Sequence, residues 1–344
     1  ENEWGSANFN VSRNEVRSFL LSNLYFWIKE FHIDGIRMDA VSNMLYYKDG
    51  LSENKRSVEF LQYINQSLHE EYPDVMLIAE DSSAWPLVTK YQEDGGLGFD
   101  FKWNMGWMND TLKYMEQDPF FRKSHHGKLT FSFMYAFSEN FILPLSHDEI
   151  VHGKNSILNK MPGYYEDKLA HVRNLYSYQM AHPGKKLNFM GNEFVQGLEW
   201  RYYEQLEWQL LKDNKGSQNI QKYVKALNKM YLEEEAFWHD GQDGFEWIEH
   251  ENINENMLIF LRKTPNMEDF IIVVFNFSGK DHEKYPLGVP LEDGEYEAIL
   301  DSNEKKFGGS YQGRKRKYKP IKKSWNYREQ YIEIKIAKTE FLFL

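Results

Sequence analysis

Between residues 12 and 235, helical-period segments alternate with short extended ones, and that alternation restricts the possible folds more than any other feature of the chain. Val16, Phe19, Leu20, Leu24, Trp27, Ile28 and Phe31 recur at helical spacing, behind a Ser12/Glu15 pair spaced as a capping box. The extended run "HIDGIRMDA" follows at once. Val58, Leu61, Ile64 and Leu68 then mark one face of a helix over 54–71, before the strand "VMLIAE". A short helix is expected after Pro86, then "LGFDFKW" and a helix over 106–116. After an irregular aromatic stretch come "NFILPLSH", a helix over 166–182 stopped by "HPGK", the strand "KLNFMG" and a helix over 218–235. Helix and strand repeated about five times in this order imply an α/β fold with a parallel sheet and right-handed crossovers.

From about residue 239 the texture changes. "FEWIEH", "MLIFLRK", "FIIVVFNFS", "EYEAILDS" and "YIEIKIA" are short β-rich runs divided by turn residues, which predicts an antiparallel β-sandwich. The domains expected are therefore 1–238 and 239–344. A net charge of −11 excludes a nucleic-acid partner, which needs a basic face. With no Cys, disulfides and thiolate metal sites are excluded, in keeping with a reducing, cytoplasmic setting. No run approaches membrane-spanning length, so no membrane partner is expected, and no signal-peptide pattern opens the sequence.

Three charged motifs sit where strands of the first part end: "IRMDA", "LIAED" and "LPLSHDE". In a parallel barrel those ends face one mouth, where active sites are built. Asp39, Glu80 and Asp148 are thereby candidates to converge, with Arg37 and His147 beside them. Glycoside chemistry uses such a set: an ionised nucleophile, a protonated acid, and a third carboxylate for substrate hydroxyls. Arg37 lies two residues from Asp39 on the same strand face and favours its charged form. Glu80 ends an apolar run, where desolvation favours the protonated form. Each motif alone also fits a structural ion pair, a helix cap or a surface charge run; their joint appearance at three strand ends favours chemistry.

"GIRMDAV", "LIAED", "FILPLSHDEIVHGKNS" and "GKKLNFMGNEFVQGLEW" together resemble the α-amylase superfamily, glycoside hydrolase family 13. "GGLGFDFKWNMGWMNDTLKYM" and "HHGKLTFSFMYAFSENF" narrow the resemblance to the bacterial 1,4-α-glucan branching enzymes of that family. The resemblance implies the latter part of a (β/α)8 barrel, about strands four to eight, followed by a β-sandwich. It implies that Asp39 is the nucleophile, Glu80 the general acid/base and Asp148 a stabiliser of the transition state. Arg37 and His147 would bind substrate, and Arg37 would keep the nucleophile ionised. The implied reaction is retaining transfer of an α-1,4-glucan chain to a 6-hydroxyl, by a monomeric enzyme without metal or organic cofactor. Because the family's earlier barrel strands find no match here, the chain is expected to be the later part of a longer enzyme. A hydrolytic relative, such as an amylase or debranching enzyme, and a non-catalytic glucan-binding remnant are the alternatives.

Other features have plainer explanations. His125–His126 lack a third ligand at metal spacing and are expected to be structural or substrate-side. The basic run "GRKRKYKPIKK" is expected to be a solvated loop. Trp103 and Trp107 are open between stacking on glucose and packing in the core.

Overall fold

The computed structural model describes residues 5–47, 50–291 and 293–344. By internal contacts the chain divides into two units: Glu1–Gly106 with Tyr135–Pro144, and Trp107–Met134 with Leu145–Leu344.

In the first unit, helix α1 (Asn14–Phe31) leads into strand β1 (Gly35–Met38), and helix α2 (Lys55–Glu71) into β2 (Met76–Ala79). Strands β3 (Phe101–Trp103) and β4 (Phe141–Leu145) follow. Each strand pairs in parallel with the next, β1 with β2, β2 with β3 and β3 with β4. The parallel order follows from the crossover helices, whose apolar faces need the sheet as cover. Leu61, Ile64 and Leu68 of α2 are buried against Leu77 and Ala79 of β2. Each such side chain contributes about 1.5–3 kcal/mol relative to exposure. Asn54 caps α2 by accepting the Ser57 N–H at 3.3 Å.

Two local expectations fail here. Ser12 and Glu15 form no capping box: Asn10 Oδ1 accepts both the Ser12 N–H and its hydroxyl, and α1 starts without a side-chain cap. The turn made by Asn10 competes successfully for Ser12. No helix follows Pro86; the chain there forms turns and a single 3₁₀ turn at Gln92–Asp94, within a Gly-rich segment. The apolar stripe of α1 also splits. Leu20, Leu24 and Ile28 pack into the core, whereas Phe19, Trp27 and Phe31 are exposed.

In the second unit, helix α4 (Tyr165–Ala181) is buried over most of its length, after helix α3 (Met105–Met115) whose body begins this unit. Strand β5 (Lys185–Asn188) comes next, and the Phe189 N–H donates to the Leu145 carbonyl. Helix α5 (Lys215–Glu233) is capped by Asn214, which accepts the Ser217 N–H at 2.9 Å, and buries Ile220, Tyr223, Leu227 and Met230.

The rest of this unit is antiparallel. Strands β6 (Phe245–Glu249), β7 (Met257–Lys263), β8 (Phe270–Asn276), β11 (Leu300–Asp301) and β14 (Phe341–Phe343) form one sheet in the order β11-β14-β8-β7-β6. Strands β9 (His282–Val289) and β13 (Gln330–Ile336) make a ribbon, and β10 (Tyr296–Glu297) pairs with β12 (Lys317–Tyr318). Ile259, Ile272 and Val274 of the sheet share one core with Leu287, Ile332 and Ile334 of the ribbon. That is the antiparallel sandwich the β-rich runs predict, with β6 opening at Phe245. Most of the basic run near residue 315 is exposed, as expected, with Lys315 and Lys317 pairing with Glu297 at the surface; Arg316 is drawn in, to Asp301 and Glu340.

Candidate active site

Strand register assembles the first cluster. Met38 lies opposite Ala79 in the parallel β1–β2 pair, so the next residues, Asp39 and Glu80, leave adjacent strand ends together. The ladder continues past both strands: the Glu80 N–H donates to the Met38 carbonyl and the Val41 N–H to the Glu80 carbonyl, each at 2.9 Å. Arg37, two residues before Asp39 and on its face, reaches both carboxylates. Its Nη2 is 3.0 Å from Asp39 Oδ1 and 3.2 Å from Glu80 Oε2. The guanidinium carbon lies 4.1 Å from the centre of the Trp103 ring, whose face holds the cation in place.

The two carboxylates differ in environment. The Asp39 side chain is 76% exposed and that of Glu80 17%. Burial pushes the Glu80 carboxyl up from its ordinary range, and a hydrogen bond with Asp39 adds to this; the Ala40 N–H and the Arg37 charge pull it down. The Ala40 N–H donates to Glu80 Oε2 at 2.8 Å, aimed there by a left-handed backbone with φ +48°. That conformation costs a non-glycine residue on the order of 1 kcal/mol. Directly after Glu80, the buried Asp81 takes Lys102 Nζ at 2.8 Å and the Ser83 N–H and hydroxyl at 3.0 Å each. This fully bonded pair fixes the end of β2 next to Glu80. Asp39 also borders an open cavity of about 700 Å³ with Phe9, Leu20, Leu24, Met44 and Tyr46 in its walls.

His147 and Asp148 belong to the second unit, on a 3₁₀ turn, His147–Ile150, that follows β4. His147 Nε2 is 3.4 Å from Asp148 Oδ1, and the imidazole packs against Phe189 and Trp200, with ring centres 5.7 and 6.0 Å away. Both side chains are partly exposed, whereas Glu149 is buried and closes a capping box: its carboxylate accepts the Ser146 N–H at 2.6 Å. Glu199 holds the following loop by accepting the Gly153 and Asn155 N–H groups, and these bonds keep its carboxyl below the ordinary range.

The structure thus joins Arg37, Asp39 and Glu80 in one hydrogen-bonded cluster, and His147 with Asp148 in another. Sequence reasoning missed the Trp103 shelf, the Ala40 N–H and the Phe189–Trp200 wall. No spacing rule announces a left-handed alanine. Trp103 lies on the strand two removed from Arg37 in the ladder, so pairing order would have pointed to it. Trp107 is fully buried and is a core residue, not a sugar platform. His126 is buried and bonds Asn256 and the His250 carbonyl, a structural role; among the described residues no group of His, Asp or Glu is arranged to hold a metal.

Residues 3–258 match the α-amylase catalytic-domain family, and residues 247–344 the α-amylase C-terminal all-β domain. The 1,4-α-glucan branching enzyme GlgB of Fusobacterium nucleatum is 95% identical over all of this chain, which covers 56% of that relative. The enzyme of the same name from Halothermothrix orenii is 48% identical, again over the whole chain and 56% of the relative. The chain therefore spans about half the length of the curated relatives it matches. Among solved structures, an Anoxybacillus α-amylase superposes with a TM-score of 0.63 at 14% identity, over 99% of this chain and 65% of that one. The Geobacillus thermoleovorans α-amylase also gives 0.63, at 12% identity, over 99% and 66%. These likenesses carry the fold, the barrel strands followed by an all-β domain, and with the match over residues 3–258 they show that the chain belongs to the α-amylase family.

Proposed function

We propose that this chain carries the catalytic carboxylates of a 1,4-α-glucan branching enzyme. Asp39 attacks the anomeric carbon of an α-1,4-linked glucose while Glu80 gives its proton to the departing 4-oxygen, leaving a glycosyl ester on Asp39. Glu80, now ionised, takes the proton of an acceptor 6-hydroxyl, whose oxygen displaces Asp39 and forms the α-1,6 branch. The observation that carries this is the Arg37–Asp39–Glu80 cluster: an exposed carboxylate and a partly buried one, within hydrogen-bond reach, under one guanidinium. Inverting glycosidases need ~6.5–9.5 Å between carboxyls to admit a water, so so close a pair favours double displacement. Asp148 is assigned to stabilising the transition state and His147 to binding sugar, with residues 1–238 as the catalytic part and 239–344 as the sandwich. The near-identity to an enzyme named for branching favours transfer over hydrolysis. We further take the enzyme to be a cytoplasmic monomer.

The test is to give amylose to the natural polypeptide that carries this sequence and follow reducing ends together with iodine staining. Branching lowers the stain with reducing ends nearly constant. Reducing ends that rise in step with loss of stain would mean hydrolysis and overturn the proposal.

A further inference from the structure

A cavity of about 510 Å³ opens within the second unit, well away in sequence from the motifs above, and its lining has an unusual charge balance for a chain of net charge −11. Lys123, Lys280 and Lys338 all reach it, and among the described residues none of the three ammonium groups has a carboxylate within 4.0 Å. The two aspartates in the wall are already engaged by backbone: Asp118 Oδ1 accepts the Phe120 N–H at 2.9 Å, and Asp167 Oδ2 the Tyr164 N–H at 3.2 Å.

Behind the wall the imbalance deepens. Arg122 is fully buried and has no carboxylate within 4.0 Å among the described residues, although the more distant Asp118 charge favours its cationic form; its donors go to the carbonyls of Met115, Gln117 and Phe277 and to His171 Nδ1. Burial lowers this guanidinium only to about 10, so it remains charged at neutral pH. Asp118 offsets part of the cost of burying this cation, and a further anion in the cavity would add to that. His171, itself 3% exposed, lines the cavity and is kept neutral by burial and by the charges of Arg122, Arg173 and Lys338. With Nδ1 accepting from Arg122, the ring proton sits on Nε2, which has no protein acceptor among the described residues. A ring donor at the cavity wall and three ammonium groups without a carboxylate partner among the described residues call for the same thing: acceptor oxygens carrying negative charge. Phe120, 75% exposed at the rim, adds a flat apolar surface of the kind on which sugar or base rings lie.

We propose that this cavity is a binding site for a small organic phosphate, with the phosphoryl group taken by Lys123, Lys280, Lys338 and the His171 Nε2–H, and the attached ring laid on Phe120. The volume falls within the range of about 300–1,000 Å³ usual for small-ligand sites. Nothing in this assignment involves Asp39 or Glu80, so it stands apart from the branching reaction.

The experiment is calorimetric titration of the natural polypeptide with glucose 1-phosphate, AMP, inorganic phosphate and, as a neutral control, maltose. Saturable binding of glucose 1-phosphate or AMP is expected, weakened at least tenfold by the Lys280→Glu, Lys338→Glu double variant and by raising salt, and unchanged in Asp39→Ala. Whichever ester binds tighter identifies the ring, sugar or base, that Phe120 receives. The lysines are exposed, so the double variant should keep its melting temperature; His171→Gln should weaken binding as well, and the lysine result decides the matter should that buried change impair folding. Binding of inorganic phosphate as tight as that of both esters would remove Phe120 from the site. Absence of saturable binding by the esters, or affinity indifferent to the lysine charge reversal, would overturn the proposal.

Discussion

Glu80 is held between opposing influences, and the balance makes distinct predictions for its neighbours. Burial and Asp39 favour its protonated form; Arg37 and the Ala40 N–H favour the ionised one. Because its folded value is raised, Glu80 keeps its proton, which the proposed reaction gives to the leaving group, above the ordinary carboxyl range and loses it as pH rises through that value. Arg37→Ala removes a lowering influence, so the alkaline limb of kcat/KM against pH should move to higher pH while kcat falls at least ~10²-fold from lost orientation. A limb that stays in place or moves down would separate Glu80 from that limb. Glu80→Gln should abolish turnover of glucan yet spare the first step with a leaving group that needs no proton. Glu149→Gln should instead leave activity within a few-fold and cost roughly 0.5–2 kcal/mol of stability, because Glu149 caps a turn. The reverse pattern in a burst assay with an activated glycoside would exchange the two assignments. The partnership of Arg37 and Asp39 was legible in sequence, since residues two apart on a strand share a face. The contribution of Ala40 was not, because its left-handed backbone depends on the turn that joins β1 to the segment after it.

Helix α1 shows how far periodicity reaches as a guide to elements. Its bounds were readable to within two residues, and Leu20, Leu24 and Ile28 bury as expected. Apolar spacing cannot say which of two apolar faces is covered, however. Phe19, Phe26, Trp27 and Phe31 remain 43–62% exposed, and β1 beside them pairs only with β2 among the described residues. An aromatic patch next to an unpaired edge promotes association. A polypeptide limited to residues 1–344 is therefore expected to self-associate, and Phe19→Lys with Phe31→Lys should raise the concentration at which light scattering appears while changing stability by less than ~1 kcal/mol. Unchanged scattering would clear this face. In the sandwich the runs around β7, β8 and β13 were legible because β8 is nearly continuous β-branched and aromatic residues, β7 is a long apolar run and β13 alternates apolar with charged residues. Strand β9, "HEKYPLGV", was missed: Pro286, Gly288 and its charges read as a loop, and only pairing with β13 draws it into a ribbon.

Across the whole molecule, stability and chemistry respond to pH through different carboxyls. Glu340 and Asp301 are buried together beside one cation, with Arg316 Nη2 at 2.7 and 3.2 Å, and the Ala337 N–H also donates to Glu340. Burial first, and then Asp301, pushes Glu340 up to about 8; burial raises Asp301 too, with Glu304 adding to it and Arg316 opposing. A raised carboxyl contributes stability that is complete below its unfolded value and lost as pH rises through the folded one. Melting temperature should accordingly fall between about pH 5 and pH 8.5, by on the order of 2–4 °C per kcal/mol, and Glu340→Gln should flatten that slope. A slope unchanged by Glu340→Gln would place its origin elsewhere. The alternation of helix and strand told of a parallel sheet, and the change near residue 239 told of a sandwich, because both depend on local pattern. The Lys102–Asp81 pair and the Arg122 pocket were not legible, since they join residues that only the assembled fold brings within 3–4 Å. The central claim, that Asp39 becomes covalently bonded to the sugar, is tested most directly by trapping: Glu80→Gln in the natural polypeptide, treated with a fluorinated maltosyl fluoride, digested and weighed by mass spectrometry. One maltosyl label on the peptide carrying Asp39 is expected, and none in the additional presence of Asp39→Ala; a label on another carboxylate, or one that survives Asp39→Ala, would contradict the account.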